Sequence, residues 1–143
     1  MNFDRSQSGF VTTNGMHNLS PREAAKWCSE GAITLDVREE YVNQYKKFSV
    51  PVSIQIPFSQ LHQAFQQLPK DKWIIVADSS GMQSKAAYEF LQQNGYTQLS
   101  NLAGGMVEWE RDGMPLLIEK SEKLTGSCAC QLRARDSKKP TMK

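Results

Sequence analysis

Apolar positions along the chain fall into two alternating kinds of run. Trp73-Ile-Ile-Val-Ala77 is continuous, apolar and rich in β-branched residues, bounded by the turn Pro69-Lys-Asp-Lys and the polar Asp78-Ser-Ser-Gly81, which predicts a buried strand. Ala32-Ile-Thr-Leu-Asp36-Val reads the same way, Val50 to Ile56 alternates until Pro57 stops it, and Thr97 to Leu102 supplies a last strand. Between these lie helical spacings. Ser20-Pro21-Arg22-Glu23 combines a capping serine, a proline suited to the first turn and a glutamate placed to close a capping box. Ala24, Trp27 and Cys28 follow on one face until Gly31 ends the helix, so Cys28 reads as a small buried hydrophobe.

Arg38-Glu39-Glu40 enters a short helix. Leu61, Ala64, Phe65 and Leu68 mark one apolar face of another, which begins near Ser59 and leaves His62 in solvent. Ser84 to Asn94 turns Ala87, Phe90 and Leu91 inward, with Gly95 as left-handed cap and Tyr96 packing after it. Gly104-Gly105 opens a helix through Trp109 that ends near Gly113-Met-Pro115. Strands alternating with helices predict an α/β fold, an open parallel sheet of about five strands with helices on both faces. Residues 1–15 read as a polar arm, 16–116 as the domain, and 117–143 as a basic tail without periodicity.

Composition narrows the function classes. At 143 residues, 39% hydrophobic and 22% charged, the chain is one domain's worth with a core of its own. The net charge of +2 is unevenly placed: residues 1–118 hold 10 Lys+Arg against 12 Asp+Glu, and residues 119–143 hold 7 against 3. A mildly acidic body argues against nucleic-acid binding. No run approaches a membrane span, and Met1-Asn-Phe-Asp-Arg-Ser lacks the basic and apolar regions of a signal peptide, so a cytoplasmic location is the expectation. Three cysteines, two histidines and no Cys-x-x-Cys give no disulfide framework and no four-ligand zinc site within one chain; no cofactor is expected.

The candidate chemistry follows the strand at 73–77. In open parallel sheets ligands bind beyond the carboxyl ends of the strands, and a polar loop entering a helix there aims N–H groups at an anion. The loop is Asp78, Ser79, Ser80, Gly81, Met82 and Gln83, with Gly81 free to curl. Alone, strand–polar loop–helix is common.

The order of motifs is more specific. Leu19-Ser-Pro-Arg-Glu-Ala, Leu35-Asp-Val-Arg-Glu, Ile54-Gln-Ile-Pro-Phe-Ser-Gln-Leu, the loop, Asn94-Gly-Tyr and Asn101-Leu-Ala-Gly-Gly-Met-Val-Glu-Trp-Glu-Arg-Asp-Gly-Met-Pro resemble, in this order, a rhodanese-like (sulfurtransferase) domain across about residues 16–116. The resemblance implies a loop that begins with a cysteine carrying sulfane sulfur as a persulfide. Here Asp78 stands at that place, and the loop's usual arginines are missing. Its six-residue length is similar to that of the sulfurtransferases rather than the longer loop of related phosphatases. Phe48-Ser-Val-Pro-Val-Ser departs from the family's common Gly-His-Ile-Pro-Gly-Ala turn.

A carboxylate cannot form a persulfide and is a poor nucleophile toward thiosulfate-like donors. Its own oxygens are expected to take the loop amides that an anion would use. Asp78-Ser79-Ser80 also suit a helix N-terminus for purely local reasons. Asp78 as phosphoryl acceptor or general base lacks a metal-binding acidic partner nearby in sequence. For Asp36 and Arg38 the resemblance implies a structural role near the loop, as an ion pair, and Gly104, Gly105 and Trp109 look architectural.

Cys128-Ala-Cys130 is the remaining reactive candidate. Arg133 and Arg135 raise the local positive potential, and a disulfide across one intervening residue is strained, so the spacing suits a redox pair, a soft-metal site or a sulfur carrier; two incidental tail cysteines fit as well. Two functional readings result. The first is a non-catalytic rhodanese-like module that binds or regulates, with an unknown protein partner or small anion. The second is a sulfurtransferase or sulfur carrier working through Cys128 and Cys130.

Overall fold

The computed structural model describes residues 3–6, 8–40 and 45–118. At its centre is β6 (Ile74–Ala77), four residues all buried. Ile74 and Val76 pack into one apolar cluster, and Ile75 and Ala77 into another. That is the period-two signature of a strand covered on both faces, and it explains why the segment reads as an unbroken apolar run. β6 lies between β3 (Ile33–Asp36) and β7 (Leu99–Leu102), parallel to both, with Leu35 opposite Val76 and Ile75 opposite Ser100. β5 (Ser53–Gln55) extends the sheet beyond β3, and β2 (His17–Leu19) beyond β7, again in parallel.

β1 (Phe10–Val11) joins β2 antiparallel, giving the order β1-β2-β7-β6-β3-β5 among the described residues. The fold is α/β, with a mostly parallel sheet. Part of the expected polar arm is thus an edge strand. Its partner β2 is three residues long, too short for alternation to announce it.

Helices cover both faces. α1 (Pro21–Ser29) starts with the full capping box: Glu23 N–H donates to Ser20 Oγ, and Ser20 N–H to Glu23 Oε1. α1 and α4 (Gly105–Arg111) pack Ala24, Trp27, Met106 and Trp109 with Leu19, Ile75 and Leu102. α2 (Leu61–Ala64) and α3 (Met82–Gln93) place Leu61, Ala87, Tyr88 and Leu91 on Leu35, Ile74 and Val76 of the opposite face.

Some elements are shorter than the pattern predicts. The helix expected across Leu61 to Leu68 is a single α-turn between 3₁₀ turns at Phe58–Gln60 and Phe65–Gln67. Its apolar face still points inward, but the Tyr96 hydroxyl binds the carbonyls of Phe65 and Leu68 and fixes the tighter ending. The strand expected from Val50 narrows to Ser53–Gln55, since Pro51 has no N–H to give a ladder. His62 is exposed, its ring 4.4 Å from that of Phe90. The short helix expected after Glu40 runs into residues 41–44, and the tail with Cys128 and Cys130 falls in 119–143; both lie outside the described residues.

By their contacts the described residues divide into two units, one within Met1–Asn43 and Phe48–Leu116, the other within Gln44–Lys47 and from Leu117 on. The first contains the six-stranded sheet. Of the second, residues 45–47 and 117–118 are described; they fall largely in β4 (Lys46–Phe48) and β8 (Leu116–Ile118), which form a two-stranded sheet that the sequence pattern does not announce.

Candidate functional site

Asp78 is the first residue past the carboxyl end of β6 and is 3% exposed. The chain then turns through Ser79 and Ser80 to Gly81, whose φ of 103° is left-handed and open without strain only to glycine. α3 starts at the next residue. Gly81 sits at the cap position with no side chain to offer, and Asp78 supplies the cap from three residues earlier. Its Oδ1 accepts the Gly81 N–H; its Oδ2 accepts the N–H groups of Gln83 at 2.7 Å and Ser84 at 3.2 Å. One carboxylate therefore collects three amides of the loop and the first turn of α3, where the helix dipole also favours an acceptor. The Ser84 hydroxyl, fully buried in the same turn, has no hydrogen-bond partner among the described residues.

The loop's main chain is held from the other side. Met106 N–H donates to the Asp78 carbonyl at 2.8 Å, and Val107 N–H to the Ser79 carbonyl at 3.0 Å. This close approach is why residue 105 is glycine. A Cβ there would meet the Asp78 carbonyl oxygen and lie 2.6 Å from the Ser79 carbonyl carbon.

Beside the loop, Val37 N–H donates to the Ala77 carbonyl, so the ends of β3 and β6 lie side by side. There Asp36 and Arg38 form a buried ion pair, 1% and 3% exposed, with Arg38 Nη2 2.8 Å from Asp36 Oδ2 and Nε 3.0 Å from Oδ1. The Arg38 backbone N–H also donates to Asp36 Oδ1, and the guanidinium lies 5.2 Å from the Phe48 ring centroid. Two opposite charges held by hydrogen bonds inside the protein fix a strand end; breaking one such pair costs roughly 3–5 kcal/mol.

An open groove of about 240 Å³ adjoins the loop on the β7 side. Ser80, Met82 and Lys85 line it from the loop and α3, Phe10 and Thr12 from the N-terminal edge, and Asn18 and Asn101 from β2 and β7. Asn101 Nδ2 donates to Asn18 Oδ1 at 2.7 Å, and Asn18 Nδ2 to the Met16 carbonyl at 3.1 Å. Met82 is 79% exposed and Phe10 55%, so the rim is apolar.

The structure thus brings Asp78 to Gln83 together as one turn and sets the Asp36–Arg38 pair on the neighbouring strand end. Sequence reading missed Asn18, Phe10 and Lys85 as groove residues, because no local motif marks them. Cys28 is buried with Sγ 3.1 Å from Thr34 Oγ1, and burial raises its thiol pKa, which disfavours the reactive thiolate. No group of three His, Cys, Asp or Glu among the described residues is arranged to hold a metal ion. No helix among them is long and apolar enough to cross a membrane.

Comparison with known proteins agrees with the geometry. The profile of the Rhodanese-like domain family matches residues 20–112, and the chain belongs to that family. It is similar to a sulfurtransferase of Allochromatium vinosum, 28% identical over 89 residues that cover 62% of this chain and 81% of that one. The thiosulfate sulfurtransferase GlpE of Haemophilus influenzae is 28% identical over 102 residues, covering 68% and 91%. Among solved structures, a rhodanese-related protein from Thermoplasma volcanium superposes with a TM-score of 0.63 at 30% identity, covering 71% of this chain and 98% of that chain.

Proposed function

We propose that this chain is a rhodanese-like domain without a catalytic thiol in its loop, acting as a binding or regulatory module in the cytoplasm. One observation carries the reading: the Asp78 carboxylate accepts the N–H groups of Gly81, Gln83 and Ser84 that would otherwise converge on an anion. A side chain with no sulfur occupies the nucleophile position, and its oxygens fill the cradle. Binding then falls to the surface around the loop, where exposed Met82 and Phe10 offer apolar contact and Lys85 a positive charge. A protein partner or a small anion fits that surface.

The relatives' names define the assay. Thiosulfate:cyanide sulfur transfer is measured for the wild type, Asp78→Cys, and the double variant Cys128→Ser/Cys130→Ser. The expected outcome is no turnover by the wild type and a gain with Asp78→Cys, in which a thiol enters an intact cradle. Wild-type turnover that disappears in the double variant overturns the reading and assigns sulfur transfer to the tail thiols.

A further inference from the structure

One edge of the sheet runs along the groove beside the loop. β1 is the outermost strand on that side among the described residues, and β2 pairs with one of its two edges. The ladder decides which backbone groups of β1 are left over. In an antiparallel pair, residues bonded to the partner alternate with residues turned away from it. Thr12 N–H donates to the Met16 carbonyl at 2.9 Å, which makes position 12 a bonded one, and Phe10, two residues back and opposite Asn18, is bonded in the same sense. Val11, opposite His17, is the residue turned away. The His17 N–H agrees, since it donates to the Tyr88 hydroxyl and not to β1. The Val11 N–H and carbonyl thus face outward, on an edge that no described strand covers.

Side chains extend this edge into the groove. Phe10 and Thr12, two positions apart, share a face of β1, and both line the groove. Met82 and Lys85 line it from α3. Lys85 is the one charged residue of that lining, and it makes no ion pair with any described residue, Glu89 one turn on included. The apolar part is concentrated. The unit containing the six-stranded sheet exposes five large apolar side chains among the described residues; Phe10, Val11 and Met82 belong to this edge and groove, and Val107 adjoins the loop through its N–H. A volume of about 240 Å³ receives one or two side chains, whereas a helix about 10–12 Å across does not fit.

We propose that β1 and this groove dock an extended peptide segment of a partner protein, in which an apolar and an acidic side chain stand two positions apart. The segment's main chain takes the outward N–H and carbonyl of Val11, adding a strand to the sheet. Its residue opposite Val11 shares the face of the Val11 side chain, so the two neighbours of that residue point to the face of Phe10 and Thr12, over the groove. One of them is apolar and packs on Phe10 and Met82. The other carries a carboxylate to Lys85.

The proposal rests on the reading that binding falls to the surface around the loop, and it selects the peptide over the small anion. Three loop amides are taken by Asp78, whose charge repels a second anion. The groove is open, so an ion beside Lys85 stays in water, where a lone surface charge pair contributes little. A peptide adds what an ion lacks: main-chain bonds at Val11 and apolar contact with Phe10 and Met82, which hold its carboxylate near Lys85.

The test is an amide and methyl NMR titration of the full chain at low salt with N-acetylated, C-amidated pentapeptides. Thr-Leu-Thr-Glu-Thr and Thr-Glu-Thr-Leu-Thr carry the spacing in both directions. Thr-Leu-Glu-Thr-Thr sends the two side chains to opposite faces, a further set has Gln for Glu, and thiosulfate is titrated separately. At least one spaced peptide is expected to shift the Val11 amide and the Met82 methyl, and to bind roughly two- to fivefold more tightly than its Gln counterpart. The adjacent peptide is expected to bind more weakly than the spaced one, and Lys85→Gln, a change at an exposed position, to remove the preference for Glu. The proposal is overturned if neither spaced peptide shifts Val11, if the adjacent or Gln peptide binds as well, or if the preference survives in Lys85→Gln. Thiosulfate moving these resonances while the peptides do not overturns it too. The sulfur-transfer assay is a separate readout: wild-type turnover overturns the non-catalytic reading, whereas a silent peptide titration of an inactive wild type overturns the peptide alone.

Discussion

Two of the polar side chains buried in this domain, Asp78 and His17, are satisfied by different means. Asp78 is met by N–H groups of the backbone, which are donors at every pH and cannot turn away. His17 is met by the Ser100 hydroxyl, which rotates to donate or accept, and by the Ser8 carbonyl, which accepts from Nε2–H. The first arrangement is closed within one loop, while the second joins partners 83 and nine positions away.

The comparison can be broken most forcefully at its fixed end. Asp78→Ala leaves three N–H groups at the start of α3 without their acceptor, and loss of about 2–4 kcal/mol of unfolding free energy is expected by urea titration. A loss under about 0.5 kcal/mol would mean the amides find other partners and the carboxylate is incidental.

At the other end the expected effect is smaller. Ser100→Ala strands the Trp73 indole N–H and removes the partner of His17 Nδ1, and a loss of about 1–2 kcal/mol is expected by urea titration. Unchanged stability would show that the hydroxyl has no hold on either ring. The smallest effect is expected at Ser84. Its hydroxyl is buried without a partner among the described residues, so Ser84→Ala is expected to leave stability within about 0.5 kcal/mol or raise it slightly. A loss above 1 kcal/mol would reveal a bond to that hydroxyl.

How far the sequence disclosed all this depends on how local each signal is. The start of α1 is legible to the residue, because a capping box lies within four positions. β6 is legible because burial on both faces writes an unbroken apolar run. The loop was also readable: the three amides that reach Asp78 come from within six residues of it. β1 and β2 were not, since they are two and three residues long and are recognised only through register, β1 with β2 and β2 with β7. The same holds for the side-chain contacts of His17 with Ser100 and of Asn18 with Asn101, each spanning 83 positions. No window along the chain contains both partners.

The anchoring of the loop by Met106 and Val107 has a consequence for how such a site changes over time. Both bonds reach carbonyls at 78 and 79, and neither reads a side chain. The loop's course is therefore held in part by α4, through bonds that do not depend on the side chain at 78. Form and chemistry can diverge independently: one substitution replaces the reagent in a socket whose shape another part of the molecule maintains.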